Sequence, residues 1–311
     1  MNKEKIYLSI IIPFHNEEGN LVVLIDELFK TLIKLKKSFE IILVDDGSMD
    51  NSLFIAKKLV KKHKEIVCIE LSKNFGQENA ILAGMNNSVG DLIISMDSDL
   101  QHPPSTILEM ITKYNEGYDV VNTTRRDRNN NIWKTNFIKL FYKILNMISG
   151  TNIQVSSLNF KLISRKFLNE FLQLKEVKRF DRGLIEWLGF KQCYIEYYAE
   201  DRYSGKTKYT FRRLVLRGID SISSFSTKPL RLVFHISIVI FIISILIIVY
   251  TFIRYLIGEE KNLSFPLIIA TILLGIQFLS IGIVSEYIGN IYNESKKRPS
   301  YIIKKITKEY E

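Results

Sequence analysis

Apolar and polar positions switch between two periods along the first half of the chain. Leu8 to Ile12, Phe39 to Val44, Ile66 to Glu70, Leu92 to Ser95 and Asp119 to Thr123 are short apolar runs that read as buried strands. Between them, Glu17 to Leu35 sets Leu21, Leu24, Ile25, Leu28 and Leu32 on one face of a helix. Further helices are predicted from a cap at Asp50 to about Lys62, from Gln77 to Asn87 and from Ser105 to Asn115. Strands that alternate with helices predict an α/β fold, a mostly parallel sheet flanked by helices on both faces. Lys134 to Ile148 reads as an amphipathic helix, and Phe160 to Ile163 and Gln192 to Tyr197 as further strands. Tyr209 to Phe225 is amphipathic too, with Phe211, Leu214, Val215, Ile219 and Ile222 opposed to Arg212, Arg213 and Arg217. It is either a helix lying in a membrane interface or a domain helix packed on the sheet.

The pattern changes after residue 231. Ile, Leu, Val and Phe dominate up to Arg254, with no formal charge except a protonated His235, and no charge falls between Lys261 and Glu286. Each stretch exceeds the about 20 apolar residues that cross a bilayer. The link Gly258-Glu259-Glu260-Lys261-Asn262 is short, whereas Arg212, Arg213, Arg217, Lys228 and Arg231 precede the first span and Lys296, Lys297, Arg298, Lys304, Lys305 and Lys308 follow the second. Positive residues stay on the cytoplasmic side. The expected organisation is a cytoplasmic domain over 1–227 that includes the amphipathic helix at about 209–226, a transmembrane hairpin over 228–292 and a basic cytoplasmic tail over 293–311. The N-terminal Met1-Asn2-Lys3-Glu4-Lys5 leads only into a short apolar strand, which is no signal peptide.

The net charge of +10 admits nucleic acid as a partner, but no nucleic-acid motif accompanies it. Anionic headgroups and phosphorylated ligands account for the charge better beside two spans. The two cysteines, Cys68 and Cys193, sit in strand-like runs without metal spacing, in keeping with a reducing compartment.

The candidate chemistry lies where strands stop. Leu92 to Ser95 runs into Asp97-Ser98-Asp99-Leu100-Gln101-His102-Pro103-Pro104. In an extended segment, side chains at i and i+2 point the same way, so Asp97 and Asp99 are expected on one side of the sheet's carboxyl edge, where open α/β sheets bind ligands. Two converging carboxylates suit a hard divalent ion that keeps positions open for phosphate oxygens. A solvated acidic turn is the plainer alternative. Asp45-Asp46-Gly47-Ser48 ends another strand on that edge and reads either as part of the same site or as a turn with a helix cap. His102 is a candidate ligand or a loop residue.

These motifs together resemble the family-2 glycosyltransferases, specifically the polyprenyl-phosphate group. The resemblance is carried by Ile11-Ile12-Pro13-Phe14-His15-Asn16-Glu17-Glu18, Val44-Asp45-Asp46-Gly47-Ser48, Leu71-Ser72-Lys73-Asn74-Phe75-Gly76 and Met96 to Pro104. Further along it rests on Arg125-Arg126-Asp127-Arg128, Phe180-Asp181-Arg182-Gly183-Leu184, Arg202 to Tyr209, Ser224 to Leu230 and Glu286 to Tyr292. It implies a GT-A-type domain followed by an interfacial helix and two transmembrane helices. It also implies inverting transfer of one sugar from a nucleotide-sugar, a UDP-sugar in preference to GDP-mannose, to a polyprenyl phosphate at the cytoplasmic face of a bacterial plasma membrane. On the matching positions, Pro13, His15, Glu17, Asp45, Asp46, Asp97, Arg202 and Lys206 would bind the nucleotide-sugar. Asp97 and Asp99 would hold Mg²⁺ or Mn²⁺, with Asp99 the more direct ligand. Gln101, Arg125, Arg128 and Lys134 would meet the acceptor phosphate, and Asp97, Asp99 and Arg125 are the catalytic candidates.

One departure matters. Relatives often carry an Asp-Phe-Arg-Leu-like segment where this chain reads Asn159-Phe160-Lys161-Leu162. If that aspartate serves as a general base, Asn159 could not replace it. A phosphate monoester already carries about −1.5 to −2 charge at pH 7, so its oxygen can attack without giving up a proton. Transfer is therefore expected to survive. The alternatives are another acceptor, a polysaccharide or diacylglycerol, and a silent nucleotide-sugar-binding homologue. The Gln-x-x-Arg-Trp pattern of processive synthases is absent, which favours single-sugar transfer. The hairpin could also pack against copies of itself in a homo-oligomer.

Overall fold

The computed structural model describes residues 5–126, 157–174, 176, 181–198, 228–257 and 264–309. In chain order the elements are β1 (Leu8–Phe14), α1 (Leu21–Leu32), β2 (Phe39–Asp45), α2 (Ser52–Lys62), β3 (Ile66–Leu71), α3 (Gln77–Asn87), β4 (Leu92–Ser95) and α4 (Thr106–Asn115). They continue as β5 (Val120–Arg126), β6 (Ser157–Ser164), α5 (Arg165–Gln173), α6 (Asp181–Trp187), β7 (Gln192–Tyr198), α7 (Lys228–Leu256), α8 (Ser264–Ser295) and β8 (Ile303–Thr307). The predicted helices at 134–148 and 209–226 lie outside the described residues.

The strands form one eight-stranded sheet in the order β7-β5-β6-β4-β1-β2-β3-β8. β1 to β5 and β7 run one way, while β6 and β8 are antiparallel to their neighbours. Burial on both faces explains the near-continuous apolar runs of β1 and β2. On one face Ile10, Ile12, Leu43 and Ile94 pack with Leu21, Leu24, Ile25, Leu28 and Leu32 of α1 and with Ile107 and Met110 of α4. On the other, Ile11, Ile42 and Val44 pack with Ala80, Ile81 and Ala83 of α3 and with Phe167, Leu168 and Phe171 of α5.

Pro13 sits inside β1, a central strand, without breaking it. Ile11 C=O accepts from Met96 N–H on the β4 side and Phe14 C=O accepts from Asp46 N–H on the β2 side. Backbone alternation puts the Pro13 nitrogen toward β4, past that strand's last paired residue, Ser95, where no ladder bond is needed.

Two helices are long and apolar enough to cross a membrane. Their apolar windows span Val233–Arg254, with mean hydropathy 3.0, and Ile272–Ser295, with mean hydropathy 1.7. Phe241, Leu246, Phe252, Phe278 and Leu279 are each more than half exposed, which suits a lipid-facing surface rather than a soluble core.

The segment after them departs from the expectation of a plain basic tail. Ile303–Thr307 adds to the sheet as β8, antiparallel to β3, and Ser72 N–H donates to Ile302 C=O at 2.9 Å. Tyr301, Ile303 and Ile306 pack against the α3-side core. A β-bulge between Glu70 and Leu71 shifts the register, so the apolar residues of Ile302-Ile303-Lys304-Lys305-Ile306 do not alternate with period two, and the strand is invisible to pattern reading. β8 starts beside Leu71, at the carboxyl edge of the parallel strands, and its link from Ser295 to Ile303 can reach no more than about 28 Å. The C-terminal end of the second long helix is therefore tethered within that reach of the edge.

Candidate active site

The loops that follow β1, β2, β3 and β4 gather at the carboxyl edge. The first two are stitched to each other. Asn16 N–H donates to Ser48 Oγ at 3.1 Å, Glu17 N–H to Ser52 Oγ at 2.7 Å, and Met49 N–H to Asn16 Oδ1 at 2.8 Å. Asn16 holds a left-handed backbone at φ 57°, a conformation an asparagine tolerates better than most residues. His15 Nδ1 lies 2.9 Å from Asp46 C=O, and Asn16 Nδ2 lies 3.2 Å from His15 Nε2. A carbonyl only accepts, so His15 Nδ1 carries a proton in this contact. Glu17 accepts from Asn20 Nδ2 at 2.6 Å.

Asp45 and Asp46 are both buried and both committed to shaping the edge. Asp45 Oδ1 accepts from Ser48 N–H at 3.0 Å, the turn bond that sequence reading left as one alternative. Asp46 reaches across to the loop after β3, where Oδ1 accepts from Phe75 N–H at 2.7 Å and Oδ2 from Gly76 N–H at 3.0 Å. Burial raises the Asp46 pKa, and these two N–H donors and His15 oppose that rise only in part. Gly47 makes the crossing possible. It has φ 71°, and a Cβ there would sit 2.6 Å from Asn74 N.

The Asp97–Asp99 turn is built differently from the extended segment expected. The chain bends over residues 98–100 and Leu100 turns left-handed at φ 63°. Strand alternation therefore does not govern where Asp99 sits. The turn delivers it instead, and its Oδ1 accepts from Gln101 N–H at 3.2 Å. Gln101 Oε1 in turn accepts from Arg125 Nη1 at 2.9 Å. Arg125 is exposed near the end of β5, so the structure brings Asp99, Gln101 and Arg125 into one chain of contacts.

His102 is a buried support, only 4 % exposed. Asp97 N–H donates to its Nδ1 at 3.0 Å, which makes that nitrogen an acceptor. Its ring stacks on Phe160 at 4.7 Å between centroids and meets Tyr197 edge-on at 5.7 Å. Burial pushes its pKa down to about 4, so the ring is neutral near pH 7.

Two residues that sequence reading did not place beside Asp97 donate to its Oδ1, Gln77 through Nε2 at 2.6 Å and Asn159 through Nδ2 at 3.1 Å. Gln77 opens α3, directly after the loop that Asp46 clamps. The two acidic pairs are thus joined through Phe75, Gly76 and Gln77. The only advance signal for Gln77 was a polar residue at a helix start on the right edge. Arg128, Lys134, Arg202 and Lys206 lie outside the described residues.

Among the described residues no group of three His, Cys, Asp or Glu side chains could hold a metal ion by itself. Asp97 and Asp99 are half-buried, and two carboxylates fit an ion such as Mg²⁺ or Mn²⁺ that completes its shell with phosphate oxygens and water. A cleft of about 380 Å³ lined by Lys5, Glu40, Asn87 and Lys308 opens at the opposite end of the strands and takes no part in this arrangement.

The profile of glycosyl transferase family 2 matches residues 9–172, and that of the GtrB C-terminal hairpin matches residues 228–291. The putative glycosyltransferase CsbB of Bacillus subtilis is 38% identical over 96% of this chain and 91% of its own length. The undecaprenyl-phosphate 4-deoxy-4-formamido-L-arabinose transferase of Proteus mirabilis is 33% identical over 96% and 93%. A prophage bactoprenol glucosyl transferase homolog of Escherichia coli is 33% identical over 97% and 99%. With the carboxyl-edge carboxylates, the two long apolar helices and these relatives along nearly the whole chain, the protein belongs to glycosyl transferase family 2 and is a glycosyltransferase with the GtrB-type hairpin.

Proposed function

We propose that the protein transfers one sugar, with inversion, from a nucleotide-sugar to a polyprenyl phosphate at the cytoplasmic face of the membrane, with a UDP-sugar favoured as donor. The observation that carries this reading is the return of the chain from the second long helix into the sheet at the edge that bears Asp97, Asp99 and Arg125. The membrane-length helices and the carboxylates are then joined through one sheet, which keeps a lipid acceptor and the donor site on the same side of the bilayer. Relatives named for undecaprenyl phosphate and bactoprenol support the same acceptor class.

In this reading the loops after β1 and β2 bind the nucleoside, with Pro13, His15 and Glu17 on one loop and Asp45 and Asp46 framing the other. Asp99, with Asp97, would hold a divalent ion, Mg²⁺ or Mn²⁺, which when bound offsets the charge developing on the departing diphosphate. Arg125, fixed by Gln101, orients the acceptor phosphate; Arg128 and Lys134 extend that contact, and Arg202 and Lys206 meet the donor diphosphate. An anionic oxygen of the lipid phosphate attacks the anomeric carbon from the face opposite the leaving group. A carbon–oxygen bond to the lipid phosphate forms, and the bond to the nucleoside diphosphate breaks and leaves with its electron pair. One displacement inverts the anomeric centre. No base is required, because the attacking oxygen carries no proton, which accommodates Asn159.

Product analysis tests the assignment. The full-length protein in nanodiscs, given one radiolabelled UDP-sugar, should label polyprenyl phosphate and leave diacylglycerol unlabelled, with the product's anomeric configuration opposite to the donor's. Labelled diacylglycerol, or a product of retained configuration, would contradict it.

A further inference from the structure

The geometry points to Asn159 as a positioning residue that, with Gln77, sets the carboxylate of Asp97 for the cation and the donor diphosphate. The inference rests on the reading above, in which Asp97 faces that diphosphate, and goes beyond it by giving a role to the residue that replaces an acid.

The pairing of β4 with β6 dictates the encounter. Leu92 pairs with Ser164, Ile93 with Ile163, Ile94 with Leu162 and Ser95 with Lys161. Continued two residues past the ladder, the same antiparallel register sets position 97 opposite position 159. Like charges opposed across such a pair are destabilising, and neighbouring carboxylates disfavour each other's ionisation. An amide reverses the sign of the contact, and Asn159 Nδ2 donates to Asp97 Oδ1 at 3.1 Å.

Asn159 is itself pinned. Ser95 Oγ–H donates to its backbone carbonyl at 2.6 Å, and the next residue, Phe160, is fully buried against His102. Gln77 approaches the same Asp97 oxygen from the start of α3 at 2.6 Å, and His102 accepts the Asp97 backbone N–H at 3.0 Å. Three separate parts of the chain therefore fix the backbone and the carboxylate plane of one residue. Two donors on a single oxygen restrict rotation of that plane before any cation arrives, and such outer supports commonly govern metal affinity.

The test is Mn²⁺ binding to the full-length protein in detergent, read by electron paramagnetic resonance with UDP present and, in parallel, GDP, alongside steady-state kinetics. Asn159→Ala and Gln77→Ala should each weaken Mn²⁺ binding about tenfold and raise the metal KM equally, while kcat at saturating metal changes less than threefold. A merely structural role would lower Tm and the active fraction and leave metal affinity alone. Gln77 is exposed at a helix start, so its alanine variant keeps the test valid if Asn159→Ala does not fold. Wild-type Mn²⁺ affinity in the folded variants, with affinity lost in Asp97→Ala, would overturn this inference and leave the metal assignment standing. Wild-type affinity in Asp97→Ala as well would overturn both.

Discussion

Lys304 Nζ lies 2.5 Å from Glu70 Oε1, while Lys57 Nζ takes the other carboxylate oxygen, Oε2, at 2.8 Å. Glu70 belongs to β3 and Lys304 to β8, so this contact ties the segment after the membrane-length helices to the sheet that carries the site. The contact also bears on topology, because one sheet cannot lie on both sides of a bilayer.

Labelling should therefore report the start and the end of the chain on one side. In a Cys193→Ser background, Met49→Cys and Lys308→Cys should react from the same face of sealed vesicles, and a cysteine placed in the 258–263 link from the other. Met49 is 93 % exposed, so its reactivity marks the domain. Opposite labelling of positions 49 and 308 would refute the hairpin.

The pH dependence of this tether has a definite sign. Burial opposes ionisation of Glu70, but Lys304 and Lys57 outweigh it and hold the carboxyl below its ordinary 4.5. A depressed folded pKa gives stabilisation that is complete above the unfolded value and lost as pH falls through the folded one. Glu70→Gln should lower Tm at pH 7, and the gap from wild type should narrow once pH drops below 4.5. A gap that widens in acid would contradict the ion-pair account.

Gly47 is the most tightly enclosed glycine in the loops after β1, β2 and β3, which the proposal gives to the nucleotide. Gly47→Ala places a Cβ 2.6 Å from Asn74 N in a left-handed backbone. The conformation alone costs about 1–2 kcal/mol, and the overlap must also displace the loop that Asp46 clamps. Thermal melts should show lower stability, and the donor KM should rise. An unchanged donor KM would separate this loop from the nucleotide.

Strand and helix spacing made much of this frame legible. The bounds of α3 and β4 and the buried face of α1 follow directly from periodicity, because the parallel strands are covered on both faces. What escaped depends on pairing that a linear pattern does not carry. β6 runs antiparallel between β4 and β5, and only that register sets Asn159 against Asp97. The register shift that skips Lys304 within β8 hid a strand inside a basic segment. His102 reads as a candidate ligand or a loop residue, and nothing local predicts that its ring would stack on a phenylalanine from β6. The bend at 98–100 removed the alternation by which Asp97 and Asp99 were expected to align, yet the turn keeps Asp99 on the same edge, linked through Gln101 to Arg125.

The proposal puts Arg125 on the acceptor phosphate and not on the donor, which kinetics can test. A charge-assisted hydrogen bond is worth about 1.5–3 kcal/mol, so Arg125→Ala should raise the KM for polyprenyl phosphate about 10–100-fold. Donor binding, followed by UDP titration calorimetry, should stay at its wild-type value. Equal losses for donor and acceptor would place Arg125 on the diphosphate instead.

The most direct measurement is a screen of radiolabelled UDP- and GDP-sugars with the full-length protein, polyprenyl phosphate and Mg²⁺ or Mn²⁺, run with and without EDTA and repeated with Asp99→Ala. The account predicts that one donor labels the lipid, that EDTA abolishes labelling until metal is restored, and that Asp99→Ala falls by about 10²-fold or more. Full metal-dependent transfer by Asp99→Ala, or donor binding with no transfer from any sugar nucleotide, would contradict it.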